Sequence, residues 1–291
     1  MAATAWETTP ITTVTTGEQL RGALLRVGLK PTDSCLVHTR LSAFGFIPGG
    51  VQTLVSMLKD VLCDGDIVMP AQTADITDPA DWDAPPVEPS LVATVHDALP
   101  PYDPDTTPVT GIGVTPEYFR SLPGTRRSGH PTCSMSAWGR HADWIADCHR
   151  DGDYDMPFGD RSPLAKLVEL DGTVVFLGTG FGTCTALHYA ESTIGRPRIR
   201  ETAPVLRVDP ATGKRKTEWA GYANVELEPY DDFERFGETF LAEHANEVRT
   251  VELNGGAIRA FPIRALVEAA RAYWRAADAE RKKTAAAAKL N

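Results

Sequence analysis

Apolar residues recur with two different spacings along the chain. In residues 16–27 and 51–62 they return every three or four positions, which is the spacing of an amphipathic helix. Short apolar runs stand near these helices and predict buried strands at residues 34–38, 67–69 and 173–177. Strands that alternate with helices indicate βαβ units, so the pattern predicts a largely parallel sheet.

Two long segments interrupt this alternation. Residues 71–110 are rich in Pro, Asp and Thr, and residues 195–228 carry many charges around strand-like runs at 217–219 and 224–228. Long connections inside a compact domain are often functional, and the second segment predicts an antiparallel hairpin. The predicted fold is α/β, with a mixed, largely parallel central sheet flanked by helices, long loop insertions and a small β-hairpin sub-domain.

The same pattern predicts the domain organisation. The Thr-rich residues 1–16 are expected to form an N-terminal arm, and residues 17–280 a single α/β domain. The Ala-rich residues 281–291 are expected to be a disordered tail. A chain of 291 residues is long enough to bury a sizeable core.

Composition narrows the classes of partner. The chain has 29 Lys and Arg residues against 39 Asp and Glu residues, which gives a formal net charge of −10 at pH 7. This charge disfavours nucleic acid or an anionic membrane as the main partner and suits a cationic substrate, although solubility alone explains it equally well. The five cysteines are scattered without a zinc-binding pattern. The residues at the N-terminus lack a basic region followed by an apolar one, so we expect no signal peptide, and no apolar run approaches membrane-spanning length. We therefore expect a cytoplasmic protein without a metal.

One stretch contains a candidate catalytic cluster. A glycine-rich turn follows the strand at residues 173–177 and leads into a predicted helix. On that helix Thr185, His188 and Glu191 are three residues apart, so they share one face. A hydroxyl, an imidazole and a carboxylate at the C-terminal end of a strand could move protons. A purely structural role for the histidine is the alternative. The glycine-rich turn is not the fingerprint of dinucleotide-binding proteins, because Thr183 stands where that pattern requires a third glycine.

A second segment has the pattern of an anion site. Residues 39–50 follow a strand, end in two glycines and lead into the helix at residues 51–62. Free backbone N–H groups and the helix dipole favour an anion at such a position, and the Arg40 and Ser42 side chains could contact a phosphate. The alternative is that the two glycines only begin the helix.

Acidic residues cluster in the 71–110 insertion. They are Asp75, Asp78, Asp81, Asp83 and Glu88. Together they would form an acidic rim that holds a protonated amine. The alternative is a solvated surface loop.

A series of short motifs follows the order found in one known family. The motifs are Val37-His-Thr-Arg-Leu-Ser-Ala-Phe-Gly45 with Gly49-Gly50, Asp66-Ile-Val-Met-Pro70, Thr73-Ala-Asp-Ile-Thr-Asp-Pro79 with Trp82 and Pro85-Pro86, Tyr102-Asp-Pro104 with Thr107-Pro108, Arg127-Ser-x-His-Pro131 with Ala137-Trp-Gly139, Ser162-Pro-Leu-Ala-Lys166, Thr185-x-Leu-His-x-Ala-Glu191 and Asp232-Phe233. The ordered series, from about residue 17 to 270, resembles the aminoglycoside N3-acetyltransferase (antibiotic N-acetyltransferase) family, which is distinct from the GNAT acetyltransferases.

The resemblance implies an enzyme that transfers acetyl from acetyl-CoA to a primary amine of an antibiotic, of the aminoglycoside 3-amine type. It implies that His188 is the catalytic histidine, with Glu191 and Thr185 beside it. The residues implied for acetyl-CoA are His38, Thr39, Arg40, Leu41, Ser42, Ala43, Phe44 and Gly45, with the turn at Thr110, Gly111 and Gly113. The residues expected around the amine acceptor are Asp75, Asp78, Trp82 and Phe181.

One departure from the family pattern bears on the acceptor. Members that act on aminoglycosides commonly carry a Gly-His-Asp-like sequence after the central glycines, and this chain has Gly180-Phe-Gly-Thr183. The scaffold is also similar to acetyltransferases of antibiotic biosynthesis. An alternative is therefore a biosynthetic enzyme that acetylates an aminoalkylphosphonate or a nucleotide-linked amine. Four arginines suit such an anionic acceptor: Arg126, Arg127, Arg196 and Arg198.

A further alternative comes from another class of enzyme. Cys184 and His188 are four residues apart on the predicted helix and are therefore close enough to pair. The sequence thus leaves a cysteine-dependent acyltransferase or hydrolase as an alternative. We favour direct transfer without an acetyl-enzyme, with His188 as the general base. For the oligomeric state, the sequence leaves a homodimer open.

Overall fold

Helices and strands alternate along the chain, as the apolar pattern predicts. The computed structural model describes residues 10–149, 152–226 and 232–288. The helices are α1 (Gly17–Arg26), α2 (Gly50–Val61), α3 (Val92–Ala98), α4 (Val114–Arg120), α5 (Ala142–Ala146), α6 (Pro163–Glu169), α7 (Ala186–Ser192), α8 (Phe233–Glu243) and α9 (Ile263–Ala288). The strands are β1 (Ser34–Thr39), β2 (Asp66–Pro70), β3 (Arg126–Arg127), β4 (Met135–Gly139), β5 (Thr173–Leu177), β6 (Arg198–Val208), β7 (Arg215–Val225), β8 (Arg249–Leu253) and β9 (Gly256–Pro262).

Seven of the described strands form one mixed sheet in the order β3-β4-β2-β1-β5-β9-β8. Strand β1 lies between β2 and β5 and is parallel to both. The other pairings described in this sheet are antiparallel. The predicted mixed α/β sheet is confirmed, and its parallel part is confined to the three central strands. The outer pairs β3–β4 and β8–β9 are hairpins, whose short connections reverse the chain direction.

Strands β6 and β7 form a separate two-stranded ribbon. Their pairing runs from Arg198 opposite Val225 to Val208 opposite Arg215. The predicted hairpin is present, but residues 217–219 and 224–225 lie on one strand, β7, and not on opposite strands. Strand β6 supplies the partner. Its mixture of charged and apolar residues does not alternate cleanly, which is why the apolar pattern did not reveal it.

Helices cover both faces of the seven-stranded sheet. One core lies between the sheet and helices α1, α2 and α4, and the other between the sheet and helices α6 to α9. The central strands alternate between the two cores: Cys35 and Val37 of β1 face the first, and Leu36 faces the second. Burial on both faces explains why these strands read as continuous apolar runs.

The described parts of the predicted arm and tail contain regular structure. Helix α9 runs to Ala288, so the described part of the expected disordered tail, residues 281–288, is helical. The Arg, Lys and Ala residues of this segment are strong helix formers, which accounts for the helix. In the predicted arm, Val14 bridges to Phe46 and Thr16 caps helix α1, whereas residues 1–9 lie outside the described ranges. Among the described helices, none is both long and apolar enough to cross a membrane.

Candidate active site

A cleft of about 410 Å³ opens where the three parallel strands end. Its walls include Thr39 at the end of β1, Pro70 at the end of β2 and Thr179 just after β5. The turn before α4 and the first turns of α7 complete the walls. Open α/β sheets bind ligands in the crevice outside the carboxyl ends of their strands, so this cleft is the candidate active site.

His188 reaches the cleft from helix α7, and its ring is held on three sides. Its Nδ1 lies 3.0 Å from Oε2 of Glu191 on the same helix face. The ring stacks on Phe158 with a centroid distance of 5.0 Å and tilts against Phe233 at 5.0 Å. The side chain is 21% exposed. The Nδ1–carboxylate contact leaves Nε2 as the nitrogen that can accept a proton from a substrate.

Arg196 holds Glu191 from the other side. Its Nη1 lies 2.5 Å from Oε1 of Glu191, and its Nε lies 3.2 Å from Oδ2 of Asp278 on α9. The guanidinium also packs over the ring of Trp274, with its carbon 4.8 Å from the ring centroid. The Glu191 and Arg196 side chains are 2% and 1% exposed. The structure therefore corrects the expectation that Arg196 receives an anionic acceptor, because its guanidinium is buried in this network.

His38 lies at the end of β1 in the wall of the cleft and is 5% exposed. Burial, with the nearby His188, lowers its pKa to about 3, so the imidazole is neutral at physiological pH. Its Nε2 is buried and has no hydrogen-bond partner among the described residues. A buried polar atom of this kind in a cleft wall fits a ligand that supplies the missing partner.

The residues implied for acetyl-CoA separate into two groups. His38, Thr39, Arg40 and Gly111 line the cleft. Leu41, Ala43 and Phe44 instead pack against the core under α1 and α2, because residues 41–44 form a short 3₁₀ turn with its apolar side inward. Four further residues belong to neither group. Ser42 and Gly45 are exposed. Thr110 donates a hydrogen bond to Asp75 at 2.5 Å, and Gly113 precedes α4 with φ of 93°.

The predicted anion site at the start of α2 does not coincide with the cleft. Gly49 is the N-cap of α2 with φ of 79°, and Gly50 has φ of 54°. The N–H of Gly50 donates to the carbonyl of Ile47 at 2.8 Å. Neither glycine is part of the cleft wall. This arrangement favours the alternative that the two glycines begin the helix.

Three residues expected around the acceptor are bound by their own insertion. The carboxylate of Asp75 accepts from Thr110, and that of Asp78 accepts the Ala80 N–H at 3.0 Å. The indole N–H of Trp82 donates to Thr77 at 2.9 Å. None of the three expected residues, Asp75, Asp78 and Trp82, is among the described residues that line the cleft.

Phe181, also expected at the acceptor, points into the core. It is 3% exposed, meets the edge of Phe176 at 5.2 Å between centroids and stacks on Phe261 at 5.6 Å. Gly237 of α8 makes room for this ring, because a Cβ at that position would collide with Phe181. The side chain of Phe181 therefore forms no part of the cleft wall.

Thr185 and Cys184 lie next to each other but differ in access. Thr185 is 4% exposed and lines the cleft at the start of α7. Cys184 is fully buried in the core, and burial raises the pKa of its thiol to about 12. A thiol in that state is protonated at neutral pH and is a poor nucleophile. In the described ranges, no group of three or more His, Cys, Asp or Glu residues is arranged to hold a metal ion.

Comparison with known proteins decides the family. A family model described as aminoglycoside 3-N-acetyltransferase matches residues 36–275 of the chain. The chain belongs to this family. The family named from the motif series is therefore confirmed, and the protein is an N-acetyltransferase with acetyl-CoA as its cosubstrate.

Relatives of this N-acetyltransferase are found among bacterial proteins. The SPbeta prophage-derived aminoglycoside N(3′)-acetyltransferase-like protein YokD of Bacillus subtilis is 35% identical over 239 residues, which cover 81% of this chain and 84% of YokD. Aminoglycoside N(3)-acetyltransferase III of Pseudomonas aeruginosa is 32% identical over 237 residues, covering 78% of this chain and 82% of that protein. The match to aminoglycoside N(3)-acetyltransferase III of Enterobacter cloacae covers 63% of that protein at 31% identity.

Solved structures share the fold over nearly the whole chain. The crystal structure of Bacillus subtilis YokD superposes with a TM-score of 0.81 at 31% identity, covering 92% of this chain and 95% of that one. The binary complex of AAC-IIIb with CoASH has a TM-score of 0.75 at 28% identity, covering 90% and 96%. AAC-VIa bound to sisomicin has a TM-score of 0.76 at 29% identity, covering 91% and 98%. The predicted non-GNAT acetyltransferase fold is thereby confirmed.

Proposed function

We propose that this enzyme transfers the acetyl group of acetyl-CoA directly to a primary amine of an aminoglycoside, of the 3-amine type, with His188 as the general base. The observation that supports the proposal most strongly is the fixed His188–Glu191 pair at the cleft where the parallel strands end. The printed names of the relatives and the sisomicin complex of AAC-VIa support an aminoglycoside as the acceptor.

The base has to act because an alkyl ammonium group, with a pKa of about 10, cannot attack a thioester until it loses a proton. In the proposed mechanism Nε2 of His188 takes that proton, directly or through one water. Glu191 accepts the Nδ1–H, selects the tautomer and stabilises the imidazolium that forms. Arg196 keeps the carboxylate of Glu191 in place through its second oxygen.

The cosubstrate supplies an activated acyl group, and residues of the cleft would hold it. The exposed guanidinium of Arg40 suits the phosphate groups of CoA, since Arg forms strong charge-assisted hydrogen bonds with phosphate. The buried His38 Nε2 and the Thr185 hydroxyl are polar groups at the wall beside His188. We assign Thr185 to the thioester carbonyl oxygen, where negative charge develops as the new N–C bond forms and from which it is withdrawn as the C–S bond breaks. The nitrogen loses two protons in all: one passes through Nε2 of His188 to the departing sulfur, and the other is released to solvent.

The test is release of free thiol from acetyl-CoA when sisomicin is added to the purified enzyme. We expect turnover with the native chain and a loss of about 100-fold or more in kcat in His188→Ala, the usual contribution of a general base. Cys184→Ala separates this mechanism from a cysteine nucleophile, since it should leave turnover largely intact. Near-normal kcat in His188→Ala would contradict the proposed role of the base.

The positions of the arginines give little support to a phosphonate or nucleotide-linked acceptor. Arg196 is buried against Glu191, and Arg126 pairs with Asp143 at 2.5 Å. The guanidinium of Arg127 donates to the carbonyl of Ala71 at 2.7 Å and to that of Thr107. Three of the four arginines considered for this alternative are thus engaged by the protein itself.

A further inference from the structure

The cleft has no acidic side chain of its own in its described wall. This is unexpected for an enzyme whose proposed acceptor carries several ammonium groups. Both oxygens of Glu191 are engaged, one by His188 and the other by Arg196. A carboxylate that binds the acceptor therefore has to reach the cleft from outside its described wall.

Glu234, in the first turn of α8, brings a carboxylate to the wall of the cleft. Its Oε1 accepts the backbone N–H of Gly182 at 2.7 Å, and Gly182 lines the cleft. A Cβ built on Gly182 would lie 2.8 Å from this same oxygen, and one built on Gly180 would lie 3.2 Å from it. The carboxylate therefore occupies the space that a side chain at position 182 would take.

The same turn of α8 also touches the proposed base. Phe233, next to Glu234, packs against the His188 ring at 5.0 Å between centroids. The first turn of α8 thus meets both the base and the glycine turn. Glu234 is exposed, and a carboxylate that accepts one N–H keeps lone pairs for further donors. An ammonium group of a bound acceptor is a donor of the right charge.

We propose that Glu234 determines specificity by binding a non-reacting ammonium group of a polyamine acceptor at the rim of the cleft. The inference rests on the proposed function. The amine that attacks the thioester must be neutral, so a carboxylate helps binding most when it holds a second, still protonated amine. Gly182 serves this arrangement because it has no side chain to displace the carboxylate.

The test compares Glu234→Gln with Glu238→Gln, one turn further along α8, where the side chain is also exposed. The amide of the first variant keeps an oxygen for the Gly182 N–H and removes only the charge. We expect its KM for sisomicin to rise about fivefold, the upper range for an exposed ion pair, with kcat unchanged. The KM for acetyl-CoA and for an amino sugar with a single amine should not change, and Glu238→Gln should match the native enzyme.

A double variant that moves the acidic side chain to another position provides a second measurement. In Gly182→Asp combined with Glu234→Ala, the acid moves from α8 to the glycine turn, into the space that Glu234 has left. The KM for sisomicin should return to within about twofold of the native value, whereas Glu234→Ala alone should show the rise. A double variant no better than Glu234→Ala would contradict the proposal.

The outcomes separate this inference from the proposed function. An unchanged sisomicin KM in Glu234→Gln, or an equal rise for the single-amine acceptor, would overturn the role of Glu234 while acetyl transfer stands. Absence of thiol release with every amine in the native enzyme would instead overturn the proposed function. Added salt should raise the sisomicin KM of the native enzyme more than that of Glu234→Gln, because screening weakens only the charged pair.

Discussion

Two histidine–carboxylate pairs lie at opposite ends of the parallel strands. At the carboxyl end, Nδ1 of His188 is 3.0 Å from Glu191, and the side chains are 21% and 2% exposed. At the amino end, Nδ1 of His141 is 2.8 Å from Asp66, the first residue of β2, and these side chains are 37% and 0% exposed. The distances alone do not indicate which pair handles protons.

The surroundings of the two carboxylates differ. Asp66 also accepts the Ser34 hydroxyl at 2.6 Å and the backbone N–H of His141 at 2.6 Å, so it joins the starts of β1 and β2 to the turn before α5. Glu191 instead divides its oxygens between His188 and the buried Arg196. The pair at the carboxyl end opens onto a cleft, and the pair at the amino end connects elements. The cleft and the fixed ring, rather than the ion pair itself, therefore make a site for proton transfer.

Replacing His188 and His141 by alanine should change kcat to very different extents. His188→Ala should lower kcat by about 100-fold or more, because the proton acceptor is lost. His141→Ala should keep kcat within about twofold of the native value, since its ring lies outside the described wall of the cleft. Both are measured by thiol release at saturating acetyl-CoA and sisomicin.

The comparison would fail if the two variants lost activity equally. Equal losses in well-folded proteins, judged by circular dichroism and thermal unfolding, would mean that the amino-end pair also contributes to turnover. A normal kcat in His188→Ala would remove the distinction altogether.

The second prediction concerns the stability that the Asp66–His141 pair contributes at the amino end of the strands. Asp66→Ala removes the acceptor for three donors, from Ser34 and from the ring and backbone of His141. We expect the free energy of unfolding to fall by about 3 kcal/mol, because buried donors lose their partner. Urea unfolding measures the change. The kcat of the folded fraction at low temperature should remain native, and a selective loss of kcat without loss of stability would contradict the structural role of Asp66.

A smaller effect tests the support behind His188. Arg196→Lys keeps a positive charge but not the planar fork that contacts both Glu191 and Asp278. We expect kcat to fall about tenfold, the lower end of the loss found when a residue that orients a metal-ligating side chain is replaced. The kcat of the neutral Arg196→Met should fall further, because its side chain supplies no cation to hold the carboxylate of Glu191. Equal kcat values in the two variants would reduce Arg196 to a packing role.

A further prediction concerns His149, a histidine that is buried and does not line the described wall of the cleft. Burial lowers the pKa of His149 to about 4 from the ordinary value of 6.5. Below pH 6.5 the unfolded chain binds a proton here and the folded chain does not, so this group destabilises the fold as pH falls towards 4. Between pH 6.5 and about pH 5 its contribution is about 2 kcal/mol.

His149→Asn tests this pH dependence, because Asn tolerates the backbone conformation at this position, where φ is 59°. Urea unfolding should show that the variant loses about 2 kcal/mol less than the native chain over that pH interval. A pH dependence equal to that of the native chain would contradict the assignment to His149.

Local spacing predicted the parts of the molecule that depend on neighbours in sequence. The shared face of Thr185, His188 and Glu191 follows from helical periodicity, and the buried strand before them follows from its apolar run. The partners of this site could not be predicted in the same way. Arg196 and Asp278 are 82 residues apart, and Glu234 is 52 residues from Gly182. Such contacts depend on how α8 and α9 pack on the sheet, which no local pattern records.

The position of Phe181 shows the same limit within a short segment. Its place in the glycine turn suggested a wall of the acceptor site. The ring turns inward because Gly237, on a helix far along the chain, leaves space for it. The sequence predicts the turn, but tertiary packing determines which of its residues line the cleft.

A crystal structure of the complex with CoA would show whether His188 is the base at the reacting centre. We expect the CoA sulfur in the cleft within about 6 Å of Nε2 of His188, which leaves room for an acetyl carbon and an attacking nitrogen. The Nδ1 contact with Glu191 should persist. A sulfur bound outside this cleft, or separated from the imidazole by the protein core, would contradict the claim.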